Sequence, residues 1–333
     1  MFNGINLAFY NALQWIYSWV GNYGWSVVVF TLLIRLILLP LDVKSRKSMR
    51  SMNKVQPKLA ALQQKYGNDR EKLNQKTMEL YKKEGVSPTS GCLPMLLQWP
   101  ILIFMFTAMR VAASTHTVEM LEHIMNTGEM PIMQGWLWIK NVFQPDSFMA
   151  SILPAHGSTL AAVTPVAYSS VLTPERISAV KEFLSSDQYL AFLQNSGLTG
   201  AFTNLQLNFV LFAPMLTIPT SLANLLNYSN GLFILPLLAA CSQFFMTKIM
   251  SGTQKKKEDV PAVQQSNDAA NAMNNGFMKW FFPIFSLWIC ATNNSAFSIY
   301  WMAVNIISIV ETVLINRYLD HKEAAQALNG TLD

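Results

Sequence analysis

Five stretches of this 333-residue chain are apolar over the length of a bilayer crossing, and no other feature limits the fold as strongly. A helix needs about 20 mostly apolar residues to cross roughly 30 Å of hydrocarbon. Residues 23–41, 93–112, 231–249, 277–293 and 296–316 meet that requirement. With 51% hydrophobic and 13% charged residues, the composition suits a soluble domain poorly. The expected class is all-α: a polytopic membrane protein with five transmembrane helices.

Orientation follows from the basic residues that flank the spans. Lys44, Arg46, Lys47, Arg50, Lys54, Lys58, Lys65, Arg70, Lys72, Lys76, Lys82 and Lys83 crowd one loop, whereas the much longer 110–230 segment has only Arg110, Lys140, Arg176 and Lys181. The crowded loop is therefore expected in the cytoplasm. Five crossings then put the N-terminus outside, and the 250–276 loop with Lys255–Lys257 and the 317–333 tail in the cytoplasm. The apolar stretch Leu205–Leu226 contains Pro214 and Pro219. If it spanned, the later charges would fall on the wrong side, so it reads as interfacial or re-entrant. Residues 1–22 suit a helix lying at the outer interface, or else an extension of the first span. The first basic residue is Arg35, so no signal peptide or transit peptide is expected.

The 44–88 segment reads as a helical hairpin. Met52, Val55, Leu59, Leu62 and Tyr66 recur at helical spacing on a charged helix. Gly67 suits a left-handed stop, and Asn68–Glu71 reads as a capping box opening a second helix towards Gly85. The external region 113–230 has an interfacial Trp136–Val142 stretch and a helix start at Thr173–Arg176. The loop Ser251–Asn275 is polar and reads as flexible. Cys92, Cys241 and Cys290 are far apart without CxxC spacing, so buried structural positions are expected rather than a disulfide or zinc site.

Chemistry of the catalytic kind has no motif here. His116, Glu119 and His123 share a helical face, but their spacing matches no zinc signature, and a solvated interface helix is the simpler reading. There is no GxxxxGK[ST], GxGxxG or GxSxG sequence. No metal, cofactor or catalytic residue is expected.

A charge inside the first span is the functional pointer. Arg35 lies six residues before Leu41, roughly 9 Å of helix rise from the inner interface. Such a cation usually turns towards protein, a partner or a water-filled cavity, and snorkelling to the cytosol is the alternative. Thr31 lies one turn away. In the fifth span Ser298, Trp301, Asn305, Ser308 and Thr312 stack along one side. Gln98 in span two and Ser242 and Gln243 in span three add polarity. Residues of these types also simply hold helices together.

Ile34-Arg35-Leu-Ile-Leu-Leu-Pro40-Leu, the basic hairpin, Gly91-Cys92-Leu-Pro94-Met-Leu-Leu-Gln98-Trp-Pro100, Trp136-Leu-Trp-Ile-Lys, Ile299-Tyr-Trp301 and Asn305 follow one another in an order that resembles the YidC-type membrane protein insertases. The resemblance covers about 23–146 and 231–317. It implies an insertase and chaperone for newly made membrane proteins that works without nucleotide hydrolysis. It also implies a hydrophilic groove open to cytoplasm and lipid, in which Arg35 attracts acidic residues of a substrate's outer tail. Arg35, Thr31, Gln98, Gln243, Trp301 and Asn305 are the groove residues expected on this basis. Implied partners are nascent membrane proteins, the lipid bilayer and, near the hairpin, the ribosome, a targeting factor and a secretion channel. The location implied is the bacterial plasma membrane, in the short form without a large outer domain before the core. Ser147–Asn230 departs from the family as an insert, Met246 and Thr247 stand where glutamines are usual, and Asn293–Ser295 replaces a more apolar turn. A small-anion transporter using Arg35 as counter-charge is the rival reading, though no paired repeats support it. A structural scaffold is a third.

Overall fold

Gly21 takes a left-handed φ of 70°, a conformation that L side chains resist, and the N-terminal apolar region is thereby cut in two. Helix α1 covers Phe2–Val20 and helix α2 begins at Tyr23, so α1 is a separate helix and not an extension of the first span. The structure is a computed structural model describing residues 2–86, 93–158, 172–206, 215–252 and 276–329. The Gly91-Cys92 motif and the Lys255–Lys257 loop lie outside the described residues, and so does the side chain of Gln98.

Helix α2 continues without a break to Tyr66, through Pro40 and Pro57. A proline in a helix removes one backbone hydrogen bond, and the remaining bonds of a 44-residue helix carry the chain past both. The other elements are α3 (Arg70–Lys83), α4 (Leu93–Thr127), α5 (Pro174–Leu184), α6 (Asp187–Asn195), β1 (Phe202–Gln206), β2 (Met215–Pro219), α7 (Leu222–Tyr228), α8 (Ile234–Gly252), α9 (Gly276–Thr292) and α10 (Ser295–Asn329). Residues 317–329, expected as a tail, continue α10 as helix.

Among the described residues, Tyr23–Met52, Trp99–Thr127 and Ser295–Gln326 are long and apolar enough to cross a membrane, and Ile234–Ile249 is a shorter apolar helix. Large apolar side chains face outwards on them and on α9, with Ile37 at 76% exposure and Trp288 at 61%. An outer surface of that kind suits hydrocarbon rather than water. The chain is a mostly helical, multi-pass membrane protein. The all-α expectation is modified at one place, because β1 and β2 form an antiparallel pair with Phe202 opposite Pro219 and Gln206 opposite Met215.

The chain divides into two compact units: Met1–Leu32, Leu102–Cys241 and Ile284–Ala303 form one, and Leu33–Ile101, Ser242–Pro283 and Val304–Asp333 the other. In the first unit the 147–230 segment, expected as an insert, leaves and returns at one point. Gly231 N–H donates to the Ser147 carbonyl and Asn230 N–H to that of Ala150. The Asn230 side chain donates to the carbonyls of Asn141, Gln144 and Pro145 at 2.9, 3.1 and 2.8 Å. Asp146, fully buried, accepts from the backbone N–H groups of Leu232, Phe233 and Leu235 at the start of α8 and from Trp138 Nε1. Negative charge at a helix N-terminus meets the unsatisfied N–H groups and the positive end of the helix dipole. Lys140, whose ammonium donates to the Leu226 carbonyl, is held below the ordinary lysine pKa by burial.

The 147–230 segment folds on the C-terminal part of α4. Val118, Leu121 and Ile124 of that helix cluster with Ile152, Leu153, Leu172, Val180, Phe183, Leu184, Tyr189, Leu193 and Leu198. Thr173 caps α5 as expected, its side chain accepting from Arg176 N–H. Within the Leu205–Leu226 stretch, read as interfacial or re-entrant, the described residues fall in β1, β2, α7 and the short turn between β2 and α7.

His116 is also corrected. Its ring stacks on Phe143 with centroids 4.6 Å apart and lies edge-on to Tyr17 and Tyr23, so it packs among aromatics instead of facing solvent. Its Nδ1 lies 3.1 Å from Glu119, and no metal-binding group occurs among the described residues. Cys290 is buried as expected, but Cys241 is exposed.

Candidate functional site

The second unit holds Arg35, and the helix face that carries it is set by spacing. Arg35, Asp42, Arg46 and Arg50 are seven, four and four residues apart on α2, so they share one side. On α10 Ser308, Thr312, Asn316 and Asp320 recur every four residues, with Glu311 beside Thr312. These two faces meet. Arg35 Nη1 lies 3.6 Å from Glu311 Oε2 and 3.9 Å from Asp42 Oδ2, with the three side chains only 12%, 11% and 17% exposed. Arg46 donates to the Thr312 hydroxyl at 2.6 Å and interacts electrostatically with Asp42 and Glu311. Arg50 donates to the Asn316 carbonyl at 3.0 Å and pairs with Asp320 at 2.7 Å, and Lys54 pairs with Glu323 at 3.3 Å.

The charged face thus runs from a half-buried group into an exposed ladder. At an effective dielectric of about 20, charges at the Arg35–Glu311 distance attract by roughly 4–5 kcal/mol before the cost of dehydrating them. This attraction offsets part of the dehydration cost of placing a cation in an otherwise apolar segment. Arg35, Arg46, Asp42 and Glu311 sum to zero charge.

Asn305 lies on the same face of α10, 7% exposed, and donates to Ser242 Oγ on α8 at 3.1 Å. Gln243, next to Ser242, is half-buried, and its carbonyl accepts from the Thr247 hydroxyl. Thr31 and Trp301 fall in the first unit. The Thr31 hydroxyl donates to the Val27 carbonyl one turn back, and the half-buried Trp301 ring packs on Phe297. Trp301 Nε1 is buried without a hydrogen-bond partner among the described residues. Of the polar stripe, Ser298 is tied to the Cys290 carbonyl, and Thr312 to that of Ser308. Asp42, Arg46 and Glu311 complete the charged cluster and were not among the residues expected. A signal existed for Glu311, the one carboxylate in 296–316 and as costly there as Arg35.

The hairpin is less tightly built than its stripe implied. Val55 and Leu59 are buried, but α3 buries no residue. Lys58 pins its far end through Glu84 at 2.6 Å. Two expectations are corrected here. Asp69, not Asn68, is the cap, accepting from Lys72 N–H; this bond and the Lys72 ammonium hold its carboxyl below the usual range. Gly67 has no left-handed φ, while Gly85 has one at 62°. What excludes a side chain at 67 is space, since a Cβ would lie 2.7 Å from the Gln63 carbonyl oxygen.

The family model described as 60Kd inner membrane protein matches residues 15–212 and 189–323. This chain belongs to the YidC family. YidC relatives match the chain in part. The membrane protein insertase YidC of Fusobacterium nucleatum is 42% identical over 131 residues, 39% of this chain and 56% of that protein. Those of Pseudomonas fluorescens and Legionella pneumophila are 44% identical over 142 residues and 50% over 97, covering 43% and 29% of this chain. The matched segments span about half of the first relative, and only 22% and 17% of the other two.

Proposed function

We propose that this chain inserts newly made membrane proteins into the bilayer and assists their folding, using a positively charged groove and no nucleotide hydrolysis. The observation that carries the reading is Arg35, a cation only 12% exposed, held in an apolar segment by carboxylates rather than turned outwards to snorkel. A cation in that setting lowers the cost of drawing an acidic outer tail partway into the membrane, while apolar helices pass sideways into lipid. The names of its YidC relatives, membrane protein insertases, agree with this.

In this reading five helices cross the membrane, with the N-terminus outside and the C-terminus in the cytoplasm. The groove opens to cytoplasm and lipid. Arg35, Gln98, Gln243 and Asn305 are its residues in the second unit, and Thr31 and Trp301 belong to it on the sequence pattern. The hairpin receives substrates near the ribosome, a targeting factor or a secretion channel. Among the described residues Lys44, Lys47, Arg70, Lys82 and Lys83 form no ion pair, which leaves basic charge for that role.

The test is insertion of a single-span reporter into proteoliposomes containing only this protein. Insertion without nucleotide, with photocrosslinks to positions 31, 35, 98 and 305, is expected. Arg35→Lys should retain more activity than Arg35→Ala, since charge matters more than bidentate geometry to an unstructured acidic segment. Insertion unaffected by Arg35→Ala, or uptake of a small anion in its place, would overturn the reading.

A further inference from the structure

Arg35 does not wait unpaired for a substrate. Arg35 approaches its two carboxylates at 3.6 Å (Glu311) and 3.9 Å (Asp42), in each case through Nη1. A locked charge-assisted hydrogen bond is about 2.7–2.9 Å and often bidentate. Arg35 is thus held by proximity to two anions and not clamped by either. Glu311 comes from α10 while Asp42 comes from the arginine's own helix, so the two contacts differ in what they connect. Arg46, the second cation of the cluster, has a separate partner in Thr312.

We infer that Glu311 is a specificity-determining residue that occupies Arg35 in place of a substrate carboxylate and sets how much negative charge a segment must carry to displace it. This rests on the reading of Arg35 as a docking charge. The cluster of two cations and two anions is itself neutral, so the positive charge that Arg35 gives the groove is offset while Glu311 stays beside it. Attraction appears only when an incoming carboxylate takes the place of Glu311, whose long contact makes exchange possible. A segment with several acidic residues has a higher local concentration of carboxylate at the site than one with a single acid. Asp42 keeps Arg35 paired when Glu311 leaves, so no buried cation is stranded.

The experiment is reporter insertion into proteoliposomes, read by protease protection, with outer tails that carry zero to three aspartates. For the wild-type protein, yield is expected to rise steeply with aspartate number. Glu311→Gln is expected to raise the one-aspartate yield at least about threefold, to the level that wild type reaches with two, flattening the dependence. Glu311→Asp, which keeps the charge, should restore the wild-type slope. If Arg35→Ala leaves the aspartate dependence intact, the docking reading fails and this inference with it. If Arg35→Ala abolishes the dependence but Glu311→Gln leaves the wild-type slope, only the role of Glu311 is overturned. If neither Glu311→Gln nor Glu311→Ala accumulates in the membrane, the carboxylate holds the fold and is not an exchangeable stand-in, which also overturns it.

Discussion

The carboxylate of Asp146 accepts a 2.6 Å hydrogen bond from the backbone N–H of Leu235, 89 residues further along the chain. The same side chain takes the N–H groups of Leu232 and Phe233 and the indole of Trp138, so one residue before the insert fixes where the helix after the insert begins. Gly231 allows this approach, because a Cβ there would collide with Asp146 Oδ1.

Asp146→Ala leaves these donors without their acceptor in a buried place. Each such orphan costs about 1–3 kcal/mol, so a loss of at least ~3 kcal/mol is expected. It should appear as a lower unfolding temperature in detergent and as earlier proteolysis between Ser147 and Ile234. Asp146→Asn, which keeps an acceptor, should lose less.

Phe183 stands in the core that joins the insert to α4. Phe183→Ala is expected to cost about 3–5 kcal/mol locally. Hydrogen exchange should quicken in α5 and α6 while the amides of α10 beyond Val304 keep their protection. Equal acceleration in both places would show that the two units unfold together.

Arg50 joins α2 to the end of α10 through Asn316 and Asp320. Asp320 is 69% exposed, so solvent screening limits the ion pair to roughly 0.5–1 kcal/mol. Arg50→Ala should expose the chain beyond Asn316 to protease. The reversal pair Arg50→Glu with Asp320→Arg should recover part of that protection, and added salt should weaken the recovery.

Asp69 gives a pH-dependent helix start. Its carboxyl is held below the usual range, chiefly by the Lys72 N–H and then by the Lys72 ammonium. A folded pKa below the unfolded value adds stability that is present above the unfolded value, near 3.9, and is lost as pH falls through the folded one. Protection of the first-turn amides of α3 should therefore fall on acidification below about pH 4. Asp69→Asn should remove the pH dependence.

The membrane class and the helices were legible because they rest on local pattern: the apolar runs, the Thr173 cap and the stripe at Val55 and Leu59 all survive in the structure. Local reading failed where a backbone had a second choice. Nothing local in Leu205–Leu226 announced a strand, yet Phe202–Gln206 pairs with Met215–Pro219, a partner set by residues further along the chain. His116 looked like a solvated group because nothing in its neighbourhood in sequence announces the rings of Tyr17, Tyr23 and Phe143.

The sequence alone determined that a cation stands inside an apolar segment, since hydropathy and helix rise are properties of a few adjacent residues. Only the tertiary structure decided that Glu311 and Asp42 hold that cation, and that Asp146 and Asn230 close the insert at its base. Contacts between residues far apart in the chain depend on how helix faces are brought together. Packing fixes that rotation, and no local spacing encodes it.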